Sequence, residues 1–421
     1  MPSLPPREES HGESSSGSSS PGLPSSSGAG PTRLDLLASQ PIETQERAGF
    51  VHTLREVRQQ PDTWDATAET LAGRVDALTA AVRRARIERG RGRILLTGSG
   101  SSLFVGECLA PTLQAAFGVP VHAVAGGDIL THPRHWILPD VPTLVVSFAR
   151  SGDSPESPAV LDLLAREAPE YAHLVITCNR TGRLALAARG RANVRVEVLD
   201  DRTCDRSLVM TSSFTNMVVA GRALAYLDAP ASYLAEVRTL ARVGREVLAR
   251  DSDTLAALAV HPFSRALTLA SGGRLGAARE GALKLLEMSE GQVFAAAETF
   301  LGLRHGPMNA AHDDTIVIAF LSSDPLVRTY ELDVLDELRR KRLGLRRVIV
   351  GDALPDLREP SEMGLAYPGL GTLTGDAAAV IDALTLQVLA FFRCLALGLR
   401  PDDPSRGGVI ARVVETFAIH T

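Results

Sequence analysis

Residues 94–102 read ILLTGSGSS, a short β-rich run that ends in a turn of glycines and serines just before a helical segment led by Leu103 and Val105. A strand feeding a glycine-rich turn and then a helix is half of a βαβ unit, and in a parallel sheet that turn lies at the carboxyl end of the strands. There glycines let the backbone approach an anion, and the helix N-terminus favours its negative charge. A tight turn without a ligand uses the same residues, so this stretch alone leaves both readings open. It departs from the dinucleotide fingerprint: no third glycine falls at the required place, and serines fill the loop. Hydroxyls suit a compact phosphate monoester better than a pyrophosphate.

Further β-rich runs alternate with helical segments. Residues 119–124, 143–148, 174–178 and 194–199 complete a first series, closed by a helix over 212–227. After a linking helix over 233–248, the runs 266–270, 316–321 and 347–350 form a second series. Such alternation predicts mostly parallel sheets with helices on both faces. The second series echoes the first. Its strands end in Ser271-Gly272-Gly273 and in Ser322-Ser323-Asp324-Pro325, where the first has its Gly98–Ser102 turn and Ser151-Gly152-Asp153-Ser154-Pro155. The echo predicts a duplicated domain whose first copy alone keeps the full set of hydroxyls. The expected limits are 44–230, with its N-terminal helices, and 231–421.

Three further segments carry residues suited to chemistry. The loop Ser147-Phe148-Ala149-Arg150-Ser151-Gly152-Asp153-Ser154 follows the strand TLVVSF. Ser154 suits a helix N-cap as well as an anion ligand, but two serine-rich loops converging on one crevice favour phosphate. In REGALKLLE, residues 279–287, Glu280, Lys284 and Glu287 share one helix face. Such a face is either a solvated salt-bridge array or a lysine-supported general base. His305, in the turn Arg304-His305-Gly306-Pro307, is either structural or a group that both takes and gives protons near neutral pH.

The composition sets limits on function. Of the 421 residues 45% are hydrophobic, 22% charged and 5% aromatic, which fits a two-core α/β enzyme. A formal charge of -5 with scattered basic residues leaves no footprint for nucleic acid. Cys108, Cys178, Cys204 and Cys394 form no close pairs, so they read as reduced core residues, with neither a metal site nor a disulfide framework. Residues 1–31 are dominated by Ser, Pro and Gly and are expected to be disordered. The opening MPSLPPREES lacks a signal peptide's features. The apolar stretch 377–399, interrupted by Asp382 and Arg393, reads as a buried helix rather than a membrane span. A cytoplasmic location is expected.

These pieces together resemble the sugar isomerase (SIS) domain superfamily. From about Gln45 onward the chain looks like the tagatose-6-phosphate ketose/aldose isomerase group, whose members act as galactosamine-6-phosphate deaminase/isomerases. The resemblance rests on REVRQQPDTW (55–64), GSGSS (98–102), SFARSGDSPES (147–157), MTSSFTNM (210–217), EGALKLLE (280–287) and LRHGPM (303–308). It implies an α/β fold of two tandem SIS domains, each a mostly parallel sheet flanked by helices on both faces.

By analogy with the isomerase half of glucosamine-6-phosphate synthase, the resemblance places the sugar phosphate on Ser102, Ser151 and Ser154, and Gly100, Ser101 and Arg150 of the same two loops are expected to bind it with them. It makes Glu287 the proton shuttle between C1 and C2, Lys284 its support, and His305 the ring-opening group, supplied by the neighbouring subunit of at least a homodimer. Two departures stand out: Ala149-Arg150 replaces Ser-Gln in the phosphate loop, and the C-terminal RVVETFAIHT lacks the lysine that closes the synthase site. Pro2, not a cysteine nucleophile, follows Met1. With no ammonia source, the expected reaction is deamination of D-galactosamine 6-phosphate to tagatose 6-phosphate, without metal, organic cofactor, nucleic-acid or membrane partner. The alternatives are glucosamine-6-phosphate deamination, plain ketose/aldose isomerisation and a non-catalytic sugar-phosphate sensor.

Overall fold

The computed structural model describes residues 30–420; all but the last two residues of the Ser/Pro/Gly-rich segment 1–31 lie outside them. Ten strands form two five-stranded sheets. The first holds β1 (Arg93–Gly98), β2 (Val121–Ala125), β3 (Thr143–Ala149), β4 (Ala172–Thr177) and β5 (Val194–Val198), in the order β2-β1-β3-β4-β5. The second holds β6 (Arg265–Leu269), β7 (Phe294–Glu298), β8 (Thr315–Phe320), β9 (Arg346–Gly351) and β10 (Glu362–Ala366), in the order β10-β9-β8-β6-β7. Every neighbouring pair is parallel. Counted within its own sheet, each order is the same doubly wound one, and each reverses direction beside its first strand.

The sequence reading finds every strand except β7 and β10. Both are edge strands, only partly buried and without a β-branched residue, so neither propensity nor a run of apolar side chains marks them. The central β3, TLVVSFA, is buried along its whole length, as a strand covered by helices on both faces must be.

The two sheets share a core. Ile94 and Leu96 of β1 and Ile316, Ile318 and Phe320 of β8 belong to one cluster of buried apolar side chains. Between them lie the helices Gln60–Ala72, Ser101–Phe117, Ser212–Arg222, Arg274–Met288 and Gly375–Ala396. The outward faces are covered separately: Leu95 and Val145 pack on Val160 and Leu164 of helix Glu156–Glu167, and Val317 and Ile349 on Val334 and Leu338 of helix Pro325–Arg340. Both sheets therefore fall in one compact unit. Helix Gly375–Ala396 is long and apolar enough to cross a membrane, but 94% of its most apolar window is buried inside the protein.

Candidate active site

β1 and β3 flank the point where the first sheet reverses its order, the place where α/β sheets open a crevice for ligands. Their two loops are the serine-rich ones. Gly100, at φ 55°, makes the turn into helix Ser101–Phe117, a left-handed conformation that a side chain would strain. Ser101 and Ser102 are each only 5% exposed at that helix N-terminus. On the β3 side, Ser151 Oγ accepts the Asp153 amide at 3.2 Å and its carbonyl accepts Asn179 Nδ2 at 3.0 Å, which fixes the loop. Ser154 does not cap the next helix. The cap position falls on Pro155 with no side-chain bond, so the Ser154 hydroxyl is not committed to the backbone.

Glu280, Lys284 and Glu287 reach this crevice from the other half of the chain. Helix Arg274–Met288 runs antiparallel against helix Ser101–Phe117. A side chain at Gly276 would lie 2.8 Å from the Cys108 amide and the Phe104 carbonyl, so the close approach needs glycine there. Two turns further on, Lys284 Nζ donates to Ser101 Oγ at 3.2 Å and to Glu287 Oε2 at 2.5 Å. Glu280 Oε1 lies 3.3 Å from the same ammonium, in ion-pair contact, and neither of its oxygens has a geometrically aligned hydrogen-bond partner among the described residues.

This face is not a solvated salt-bridge array. The Glu280 and Lys284 side chains are 0% and 1% exposed, and only Glu287, at 22%, opens outward. Burial pushes the Glu280 carboxyl up to about 7 against the pull of Lys284, and Glu287 adds to the rise. Burial opposes the charge on Lys284, yet the two carboxylates outweigh it and hold the ammonium above its ordinary value. One lysine between two carboxylates satisfies the nearer, Glu287, and Glu280 retains its proton to higher pH.

Arg150 differs from its expected role. Its Nη1 donates to the carbonyls of Ser207 and Leu208 at 3.1 and 2.9 Å, and its Nη2 to the Arg412 carbonyl at 2.5 Å. Arg150 as a whole is 8% exposed, and its guanidinium serves as a clasp between the second serine loop, segment 205–208 and the C-terminal segment, rather than as an open anion ligand. Arg412 Nε returns a bond to the Asp205 carbonyl at 2.8 Å, and Arg406 N donates to Glu290 Oε1 at 2.6 Å. The C-terminal segment thus crosses from the end of the Glu287 helix to the second serine loop.

Beneath the clasp lies a pair of carboxylates that the sequence reading missed. Glu56 accepts the Ser207 hydroxyl and the Arg206 amide at 2.6 Å; burial, with the Asp205 charge adding, pushes it up to about 7. Asp205 accepts the Thr211 and Ser213 amides at 2.8 and 2.9 Å. The only signal was Glu56's place in REVRQQ, a stretch that served recognition and not chemistry.

His305 stands apart. It lies in an exposed turn after helix Phe300–Leu303, and its ring makes no hydrogen bond or ion pair among the described residues. One chain brings together Ser101, Lys284, Glu287 and Glu280, with Ser102, Ser151 and Ser154 on the adjoining loops, and leaves His305 outside.

A crevice fit for an anion, beside a carboxylate placed to move protons, is the equipment of the sugar-phosphate isomerase class. No family model matches the chain. It is 34% identical to the D-galactosamine-6-phosphate deaminase AgaS of Escherichia coli over 87% of its own length and 95% of the relative's. It is 32% identical to the protein of the same description from Shewanella sp. over 88% and 92%. The crystal structure of tagatose-6-phosphate ketose/aldose isomerase from Escherichia coli superimposes with a TM-score of 0.79 at 32% identity, covering 88% of this chain and 97% of that one. The chain belongs to the D-galactosamine-6-phosphate deaminase AgaS family.

Proposed function

We propose that this chain deaminates D-galactosamine 6-phosphate to tagatose 6-phosphate and ammonia. The observation that carries the reading is the Ser101–Lys284–Glu287 chain, which fixes a partly open carboxylate beside a loop suited to a phosphate monoester. The serine loops and the helix N-terminus hold the phosphate, and the ring opens with help from His305. Glu287 takes the proton from C2 and returns it to C1, converting the amino aldose to a C2 imine. Water adds to that imine, and ammonia leaves. Lys284 orients Glu287 and, with the loop amides, stabilises the developing negative charge. Four free cysteines, three of them buried, support a cytoplasmic enzyme.

A second reading, ketose/aldose isomerisation, uses the same proton transfer without the loss of nitrogen, and a solved relative bears that description. Ammonia release from galactosamine 6-phosphate and glucosamine 6-phosphate, run beside interconversion of tagatose 6-phosphate, separates them. Interconversion without ammonia from either amino sugar overturns the deaminase reading.

The working unit we propose is a dimer in which each site takes the partner subunit's His305. Leu301, in the short helix just before that turn, is 45% exposed, apolar surface that a second copy would cover. Mixing Glu287→Gln with His305→Ala under subunit exchange should restore about a quarter of parental activity, since about half the dimers are mixed and each has one intact site. No recovery despite exchange places both residues in the same chain's site.

A further inference from the structure

The second sheet has its own crevice at the same topological position. β6 ends before Ser271-Gly272-Gly273, β8 ends before Ser322-Ser323-Asp324, and these two strands flank that sheet's reversal point as β1 and β3 flank the first. This second crevice contains a carboxylate of the chain itself, bonded to both of its loops. Glu331, 1% exposed on helix Pro325–Arg340, reaches back so that Oε1 accepts the Ser271 hydroxyl at 2.7 Å and Oε2 the Ser322 amide at 2.7 Å.

The groups around Glu331 are those that select an anion. One hydroxyl comes from the β6 loop and one backbone amide from the β8 loop, and two guanidinium groups lie near. Arg274 pairs with Asp382 at 2.6 and 2.7 Å and donates to the Leu321 carbonyl at 2.5 Å, just before Ser322. Arg328 donates to the Ser322 carbonyl at 3.3 Å and to that of Ala353 at 2.5 Å. Burial pushes the Glu331 carboxyl up, while the Ser271 and Ser322 bonds and then the charges of Arg274 and Arg328 pull it back.

We propose that the crevice of the second sheet is an oxyanion site that the chain fills itself, with the Glu331 carboxylate standing where a phosphate group would sit. The argument uses only the donors around Glu331 and is independent of the reaction assigned above. It explains why two sheets of one order would give one substrate site: the second crevice is already occupied by an anion that cannot leave.

The test removes the internal anion and offers an external one. Glu331→Ala is made in a Ser102→Ala, Ser154→Ala background, which weakens the first sheet's phosphate response equally with and without Glu331, and is melted in inorganic phosphate and in chloride at equal ionic strength. Loss of the carboxylate lowers the Tm in chloride, and phosphate should restore several degrees that the same background with Glu331 intact does not gain. Adding Ser271→Ala should shrink that response. Equal phosphate responses with and without Glu331 overturn the proposal. If Glu331→Ala does not fold in chloride, refolding in phosphate makes the same comparison: recovery supports the site. Failure to recover, with Glu331→Gln folding normally in chloride, shows that Glu331 contributes only volume and overturns it.

Discussion

Lys284 and Ser101, 183 positions apart in the chain, meet at 3.2 Å, and this contact joins the serine-rich loop after β1 of the first sheet to helix Arg274–Met288 of the second. Lys284 turns from Ser101 to Glu287 within the reach of one ammonium, so the position of the Glu287 carboxylate is tied to the loop after β1. On the reading proposed above, binding and proton transfer are coupled through this one buried side chain.

Glu287→Gln keeps the size and leaves Lys284 paired with Glu280. Turnover should fall on the order of 10² to 10⁴-fold while sugar-phosphate affinity changes little, because a positioned base contributes about that much to rate. Steady-state ammonia release with direct ligand titration checks both; activity within tenfold of the parent would remove Glu287 from the mechanism.

Ser102→Ala with Ser154→Ala tests the anion loops. Each hydrogen bond to a charged group contributes roughly 1.5 to 3 kcal/mol, so binding of the substrate or of a phosphate analogue should weaken by about a hundredfold or more. The melting temperature should stay near parental, since the Ser154 hydroxyl caps no helix. Unchanged affinity would put the phosphate elsewhere.

Glu280 makes stability depend on pH with a definite sign. Its carboxyl titrates at about 7 in the folded protein, against 4.5 as the reference value. Between those values the folded state holds a proton that the unfolded chain has lost, so the stabilising effect of that proton, complete below 4.5, is lost as pH rises through about 7. Glu280→Gln should flatten the slope of unfolding free energy in that window by about 1.4 kcal/mol per pH unit. Denaturant melts at a series of pH values measure it, and an unchanged slope would show that Glu280 ionises normally.

Arg150→Ala should release the C-terminal segment. Three carbonyls lose their donor, which costs on the order of 2 kcal/mol or more, and trypsin should cut after Arg412 faster than in the parent. KM should rise as the second serine loop loses its brace. Parental proteolysis rates would mean that the clasp does not hold the segment.

Much of this was legible in the sequence. The βαβ alternation, both serine loops and the Glu280–Glu287 face are local patterns, and local patterns set by period and turn chemistry survive in one dimension. Which face of the Glu287 helix is buried was not legible: Glu280, Lys284 and Glu287 read equally well as a solvated array, and the close packing at Gly276 and at Gly281, against helices Ser101–Phe117 and Gly375–Ala396, turns them inward. Arg150 misled for the opposite reason. An arginine in a phosphate loop looks like an anion ligand until the carbonyls of Ser207, Leu208 and Arg412, far off in sequence, converge on it.

Helix Gly375–Ala396, at the centre of the shared core, is the last regular element of the described chain. On the ribosome, both sheets are made before the element that fills the space between them emerges. Until then the apolar sides of helices Ser212–Arg222 and Arg274–Met288, which pack against it in the finished protein, face water. The nascent chain therefore presents a long-lived greasy surface, and its yield in a cell should depend on holding chaperones more than its melting temperature would suggest.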